Sequence, residues 1–451
     1  MSMKHRSPWV VGCTVATALA LSLTACGGDG GSEGTKPGEN GSASAAQPKK
    51  PGEKIELDFM HRLPDGEGMT PVSEIVEKWN KEHPDVQVKS TKFDSKAAEM
   101  IVRLESDFKA GNAPCIAFTG YAEVPELYVK GMLADVTQEA EKYKGNYTEG
   151  AYNLMSVGGK MTGLPQDVGP LVYFYNEDAF KELGIDVPTD LAGFQEAATK
   201  AKEKGKYISA FTPDEAQNWL SAQSAAAGDS WFSAENDQWV VSANGDGSKA
   251  VADFWQKMLD DKTTLVTQRW GDGFTKALVD GQLIGHIGAA WEAGFILDPL
   301  DGTEHEGKWR VAQLMDFGAG KVTGPDGGSG LSVMKDCKYP AEAMEFIDWF
   351  NTQTDDLATQ GIVSASTNTV ETPEKMKKQF GDQDVLAEMK TASENLAIDF
   401  GYAPGFSTLS TMNQVADEVG AGKKKMTDIF DTAQKTGMDT LKNLGLPVKE
   451  G

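Results

Sequence analysis

Gly163-Leu164-Pro165-Gln166-Asp167-Val168-Gly169-Pro170-Leu171-Val172-Tyr173-Phe174-Tyr175-Asn176 is the stretch on which the fold turns. Gly163 to Pro170 is made of turn-forming and polar residues. Leu171 to Tyr175 is β-branched and aromatic, with the length and content of a buried strand. A polar crossing that runs straight into a strand is expected, and Glu177-Asp178-Ala179-Phe180 opens a helix behind it.

Upstream, Ile55 to Met60 alternates apolar and charged residues as a strand does. Pro71 then opens a helix with Val72, Ile75, Val76 and Trp79 on one face. Val86-Gln87-Val88 is a second strand. Lys96 to Ala110 is helical, with Met100, Ile101, Leu104 and Phe108 inward, and Gly111-Asn112 stops it before the strand Cys115 to Phe118. This βαβαβ succession predicts a doubly wound α/β lobe. Downstream, Asp190 to Lys204, Gln217 to Ala227 and Ser248 to Leu259 read as helices. Leu283 to Trp291 and Trp309 to Leu314 read as strands, and Tyr339 to Phe350 as a further helix.

With 451 residues the chain exceeds what one core usually serves, so more than one compact unit is expected. Its 43 basic and 67 acidic residues give a net charge of −24, which repels nucleic acid and anionic lipid head groups. Lys4, His5 and Arg6 precede an apolar run from Trp9 to Leu23, too short to span a bilayer, so residues 1–25 read as a secretory signal. Leu23-Thr24-Ala25-Cys26 matches a bacterial lipobox, which implies cleavage before Cys26 and a diacylglyceryl group on its sulfur. Residues 26–53 lack aromatics and read as a flexible tether.

Little catalytic machinery is visible. His61, His83, His286 and His305 show no His-Glu-x-x-His spacing, and no Gly-x-Ser-x-Gly, Walker loop or Cys-x-x-Cys occurs. The abundance of acids leaves a glycosidase pair open.

Gly163-Leu164-Pro165, a strand ending Tyr175-Asn176 and the helix that follows resemble the first inter-lobe crossover of the extracellular solute-binding proteins of ABC importers, in the maltose-binding-protein-like branch that carries sugars. Gly111-Asn112-Ala113-Pro114-Cys115-Ile116 is similar to that family's Gly-x-Ala-Pro-Asp-Ile strand, with Cys115 where Asp is usual. Leu283 to Trp291 resembles its strand entering the cleft, and Gly327 to Val333 its return to the first lobe. The resemblance implies an α/β, two-lobed periplasmic-binding-protein-like fold with a third crossing near Ile362 to Asn368. Lobe one would be 54–167 with 328–364, and lobe two 169–326 with 366–451. It further implies a monomeric, lipid-anchored extracellular receptor that binds a short oligosaccharide between its lobes and hands it to the membrane-embedded permease subunits of an ABC importer, without metal or cofactor. A glycan-acting enzyme, or a receptor for a peptide or polyamine, are the alternatives.

Sugar recognition needs aromatic faces and planar polar groups. Trp291 with Glu292, Trp270 and Trp219 are the candidate contacts after the crossover, and Gln166 and Asp167 those within it. His61, Arg62, Tyr121 and Glu123 follow the first and third strands, where ligands of open α/β sheets sit. Tyr402 and Phe406 form an aromatic loop that closes over the ligand. In the family's fold the returning strand lies antiparallel to the third strand, so the resemblance also implies a disulfide between Cys115 and Cys337.

Overall fold

The computed structural model describes residues 49–66, 69–95, 97–269 and 271–451; the signal, Cys26 and Trp270 lie outside them. Alternation in Ile55–His61 builds strand β1, which buries Ile55, Leu57 and Phe59 and exposes Glu56 and Asp58. Strands β2 (Val86–Lys92) and β3 (Ile116–Gly120) flank β1 in parallel. Parallel neighbours require crossovers, here the helices Val72–Glu82 and Ala97–Lys109. The first buries Val72, Ile75, Val76 and Trp79, the face that periodicity marked.

Gly163–Asn176 is one continuous strand of 14 residues, β4, so its first half is not the turn-rich crossing that composition suggests. Backbone pairing overrides the local turn preference. Gly163 permits it: a Cβ there would lie 1.9 Å from the carbonyl oxygen of Leu331 on the neighbouring strand. The polar residues of this half are occupied by a third chain segment, since Ala365 N–H donates to the Gln166 carbonyl at 3.0 Å and Val168 N–H to that of Val363 at 2.9 Å. The second half of β4 lies between antiparallel strands β5 (Gly285–Ala289) and β6 (Trp309–Gln313). Strand β7 (Pro325–Val333) pairs antiparallel with both the first half of β4 and β3. The resulting order is β5-β4-β7-β3-β1-β2, with β6 on the other edge of β4. Two strands, β4 and β7, thus carry the sheet from one lobe into the other.

Two local details differ from the sequence reading. Strand β5 stops at Ala289, and Trp291 belongs to a 3-10 turn, Ala290–Glu292. Residues 49–53, counted with the tether, are attached to the body. Lys49 N–H donates to Glu342 at 3.3 Å, and Glu53 accepts from the Tyr339 hydroxyl at 3.0 Å.

Register explains the cysteines. Val333 faces Ile116 across the β7–β3 ladder, and Met334 N–H donates to the Cys115 carbonyl at 2.9 Å. A turn then returns Cys337, and the structure pairs it with Cys115 in a disulfide, Cα atoms 4.6 Å apart across 222 residues.

Candidate ligand-binding cleft

The cleft is organised by an irregularity in β7. Its register against β4 shifts between Pro325 and Gly328, and Gly327 and Gly328 adopt φ of +78° and +94°, a left-handed conformation that suits glycine. Gly328 also lacks room for a side chain, and Gly327 lies against an aromatic ring. A Cβ on Gly328 would lie 2.6 Å from the Tyr121 ring, and one on Gly327 would lie 3.4 Å from Trp291 Nε1. Two aromatic residues, one following β3 and one following β5, therefore seat on adjacent glycines of one strand.

Tyr121 is buried, and its hydroxyl donates to the Asp167 carbonyl at 2.8 Å. Asp167 accepts a hydrogen bond from the Ser329 hydroxyl. Burial pushes its carboxyl up to about 6, with the Ser329 hydrogen bonds pulling the other way. Trp291 remains partly exposed, with Nε1–H donating to the Asp326 carbonyl at 2.8 Å.

Behind Trp291 lies a buried charge network. Arg269 Nε donates to Glu292 Oε2 at 2.8 Å, a second guanidinium nitrogen reaches Glu292 Oε1, and Nη1 donates to Asp326 Oδ2 at 3.2 Å. The guanidinium carbon sits 5.4 Å from the centroid of the Trp291 ring. His286 Nε2 approaches Glu292 at 3.5 Å, and the Arg269 backbone N–H donates to Asp214 at 2.8 Å. One cation serves two carboxylates, and they settle differently. Burial pushes Asp326 up to about 7 against the pull of Arg269. Burial also works against ionised Glu292, yet Arg269 and His286 outweigh it and hold that carboxyl below its usual range.

The remaining sequence-predicted residues divide. Arg62 and Glu123 accompany Tyr121 on the β1–β3 side: the Arg62 guanidinium lies 4.9 Å from the Phe118 ring centroid, and Glu123 caps its turn by accepting from Gly120 N–H at 2.8 Å. Burial raises the Glu123 carboxyl against the pull of Arg62. Tyr402 is buried, with its hydroxyl donating to the Pro325 carbonyl at 3.3 Å, and Phe406 packs edge-to-face on it.

Four expectations are corrected by burial. Trp219 is 1 % exposed, donates to the Ile287 carbonyl at 2.9 Å and packs on Trp255, so it is a core residue. Glu292 is 1 % exposed and turned inward to Arg269, so it braces Trp291 from behind. Gln166 is fully buried and donates to Asn351 at 3.1 Å, fastening β4 to the helix Pro340–Asn351. His61 is buried beside Phe59, where desolvation pushes its imidazole down to about 4.

A cavity of about 430 Å³ is lined by Ile101, Val102, Ala122 and Glu123 from the β1–β3 side and by Gln217, Asn218 and Phe406 from later segments of the chain. This volume lies in the range of small-ligand sites. Arg269, Asp326, Gln217 and Asn218 were not singled out by sequence. Arg269 was visible only as a neighbour of Trp270, and nothing local announces that its partners lie 23 and 57 residues away.

One mixed sheet whose strands β4 and β7 are shared along its length, as in two-lobed binding proteins, places the chain in the class of two-lobed solute-binding folds. Residues 64–355 match the bacterial extracellular solute-binding protein family, and the chain belongs to that family. Among its relatives, the arabinooligosaccharide-binding protein of Bacillus subtilis is 26% identical over 285 residues, 61% of this chain and 64% of that protein. A maltooligosaccharide ABC transporter solute-binding lipoprotein of Streptococcus pneumoniae serotype 4 is 24% identical over 59% of this chain and 61% of its own length. The chain thus spans just under two thirds of these curated relatives. Among solved structures, the galacto-N-biose/lacto-N-biose I-binding protein of the ABC transporter from Bifidobacterium longum, in complex with lacto-N-biose, is 50% identical. It superposes with a TM-score of 0.81, covering 89% of this chain and all of that one. These relatives are named as binding proteins, not as enzymes. Among the described residues no helix is long and apolar enough to cross a membrane.

Proposed function

We propose that the protein is a lipid-anchored extracellular receptor that binds a short oligosaccharide of the lacto-N-biose type between its lobes and delivers it to the permease subunits of an ABC importer. The lobes are taken as 54–167 with 328–364 and 169–326 with 366–451. The observation that carries the reading is the Trp291 platform: a partly exposed indole whose N–H is already bonded to Asp326 and whose backing is fixed by Arg269. A ring held this way can stack on a pyranose without paying to be ordered. The relative that is 50% identical supports the sugar class, and the lipoprotein name of another relative supports anchoring through Cys26.

Ligand contacts with both lobes form only when the lobes close, so binding shifts the population toward the closed arrangement. The acids at the cavity do not favour a polyamine. Glu105 and Glu126 are both held by Lys130 at 2.6 Å, which leaves Glu123 alone to face a polycation.

Calorimetric titration with lacto-N-biose, galacto-N-biose, arabino-oligosaccharides, peptides and spermidine tests the proposal. Saturable binding of a sugar without its consumption is the expected outcome. Binding of a peptide or spermidine alone, or turnover of a sugar, would overturn it.

A further inference from the structure

We infer that Phe295 and the open patch beside it form an outer sugar subsite next to the Trp291 platform, so that the receptor takes a chain longer than a disaccharide. This deepens the receptor reading and rests on it. The short helix Ala293–Leu297 continues directly from the turn that carries Trp291, and it buries Ala293, Ile296 and Leu297. Helical spacing leaves Trp291, Gly294, Phe295 and Asp298 on the other face. A helix face turned to water is ordinarily polar. Phe295 is nevertheless 64% exposed, the one aromatic among the large apolar side chains that the described residues leave exposed. Its ring stands 6.0 Å from that of Trp291 at 87°, and the Arg269 guanidinium stands over the Trp291 ring at 5.4 Å. Between the two aromatics lies Gly294, where a Cβ would meet no described atom within 4 Å. Past them, Asp298 accepts from the Gln379 side chain at 2.8 Å and pairs with Lys375 at 2.9 Å.

The chemistry of a sugar chain answers each feature. A pyranose presents apolar C–H faces and a rim of hydroxyls, so it needs an aromatic surface to lie on and polar groups to bond. The run from Trp291 to Asp298 is about 10 Å long at helical rise, longer than one sugar ring. A glycosidic linkage turns one ring relative to the next, and two aromatic walls near a right angle give each ring its own surface. The missing side chain at Gly294 leaves room for the outer ring. Asp298 and Lys375 then supply an acceptor and donors for its hydroxyls. A disaccharide seated on Trp291 does not use this second wall, and a longer chain does.

The test is calorimetry on the mature protein with lacto-N-biose and two extensions of it: lacto-N-tetraose, which lengthens the disaccharide at its reducing end, and a trisaccharide that adds one galactose at its non-reducing end. Phe295→Ala should weaken one of the extended sugars about tenfold and lacto-N-biose less than twofold. Gly294→Leu, which fills the open patch without entering the core, should do the same, and Phe295→Trp should keep the wild-type affinities. Parallel losses for the short and long sugars would make Phe295 a prop for Trp291 and overturn the inference. Unchanged affinities, or binding of lacto-N-biose alone by the wild type, would also overturn it while leaving the receptor reading in place. Binding of none of these sugars would remove the lacto-N-biose-type reading as well.

Discussion

Two buried carboxylates mark the crossing between the lobes, and they are held in different ways. Asp167, on β4, has a neutral partner in Ser329 and lies under the Tyr121 hydroxyl bond. Asp326, on β7, shares the Arg269 guanidinium with Glu292. The comparison shows that a buried cation does not by itself secure a carboxylate. Burial pushes Asp326 up to about 7 and Asp167 to about 6; at Asp326 Arg269 pulls the other way, but the negative charge of Glu292 beside it adds to the rise. On the β1–β3 side of the crossing the carboxylate is therefore held by hydrogen bonds from a neutral partner, Ser329. The Trp291 side is an ionic brace whose loss leaves charges stranded.

The largest expected effect breaks that brace. Arg269→Met strands Glu292 and Asp326 and should destabilise the fold by about 3–5 kcal/mol in urea unfolding. A loss below 1 kcal/mol would show that the network is not holding the platform. Next, Cys337→Ser removes the link between β3 and the segment after β7, and should cost about 2–4 kcal/mol. The same loss is expected on reducing the wild type, and an unreduced protein with two alkylatable thiols at Cys115 and Cys337 would cancel the prediction.

The pH dependence sharpens the comparison. A carboxyl raised in the native state keeps a proton that the unfolded chain has released. Stability therefore falls as pH rises from about 4 to the native value and levels off above it. That window closes near 7 for Asp326 and near 6 for Asp167. Buried His61, lowered to about 4, acts in the opposite direction up to the ordinary histidine range, so variants are needed to separate them. Asp326→Asn should flatten the profile up to pH 7, and Asp167→Asn only up to pH 6. Identical profiles would erase the distinction between the two sites. The smallest effect is expected from Tyr121→Phe, which removes one neutral hydrogen bond and should cost about 1 kcal/mol.

The architecture was legible because it is written in local pattern. The face of Val72, Ile75, Val76 and Trp79 and the alternation of Ile55 to Met60 fix their elements without long-range information. Residues 363–365 run beside β4, close to where the third crossing was expected. The site was less legible, because a side chain's direction at a crossing depends on partners distant in sequence. Glu292 next to Trp291 looks like a sugar contact until Arg269 turns it inward. Trp219 beside Gln217 and Asn218 looks exposed, but helix Ala216–Ala226 aims it at Trp255, while Gln217 and Asn218 line the cavity.

The central claim is that a braced Trp291 is the sugar platform of an importer's receptor, and calorimetry of wild type and Trp291→Ala with lacto-N-biose tests it most directly. The wild type should bind saturably at micromolar affinity or better, about −8 kcal/mol, and the variant at least tenfold more weakly, a loss of about 1.4 kcal/mol or more. Equal affinities in the two proteins would take the indole out of the site, and absence of saturable binding to any sugar would contradict the receptor assignment itself.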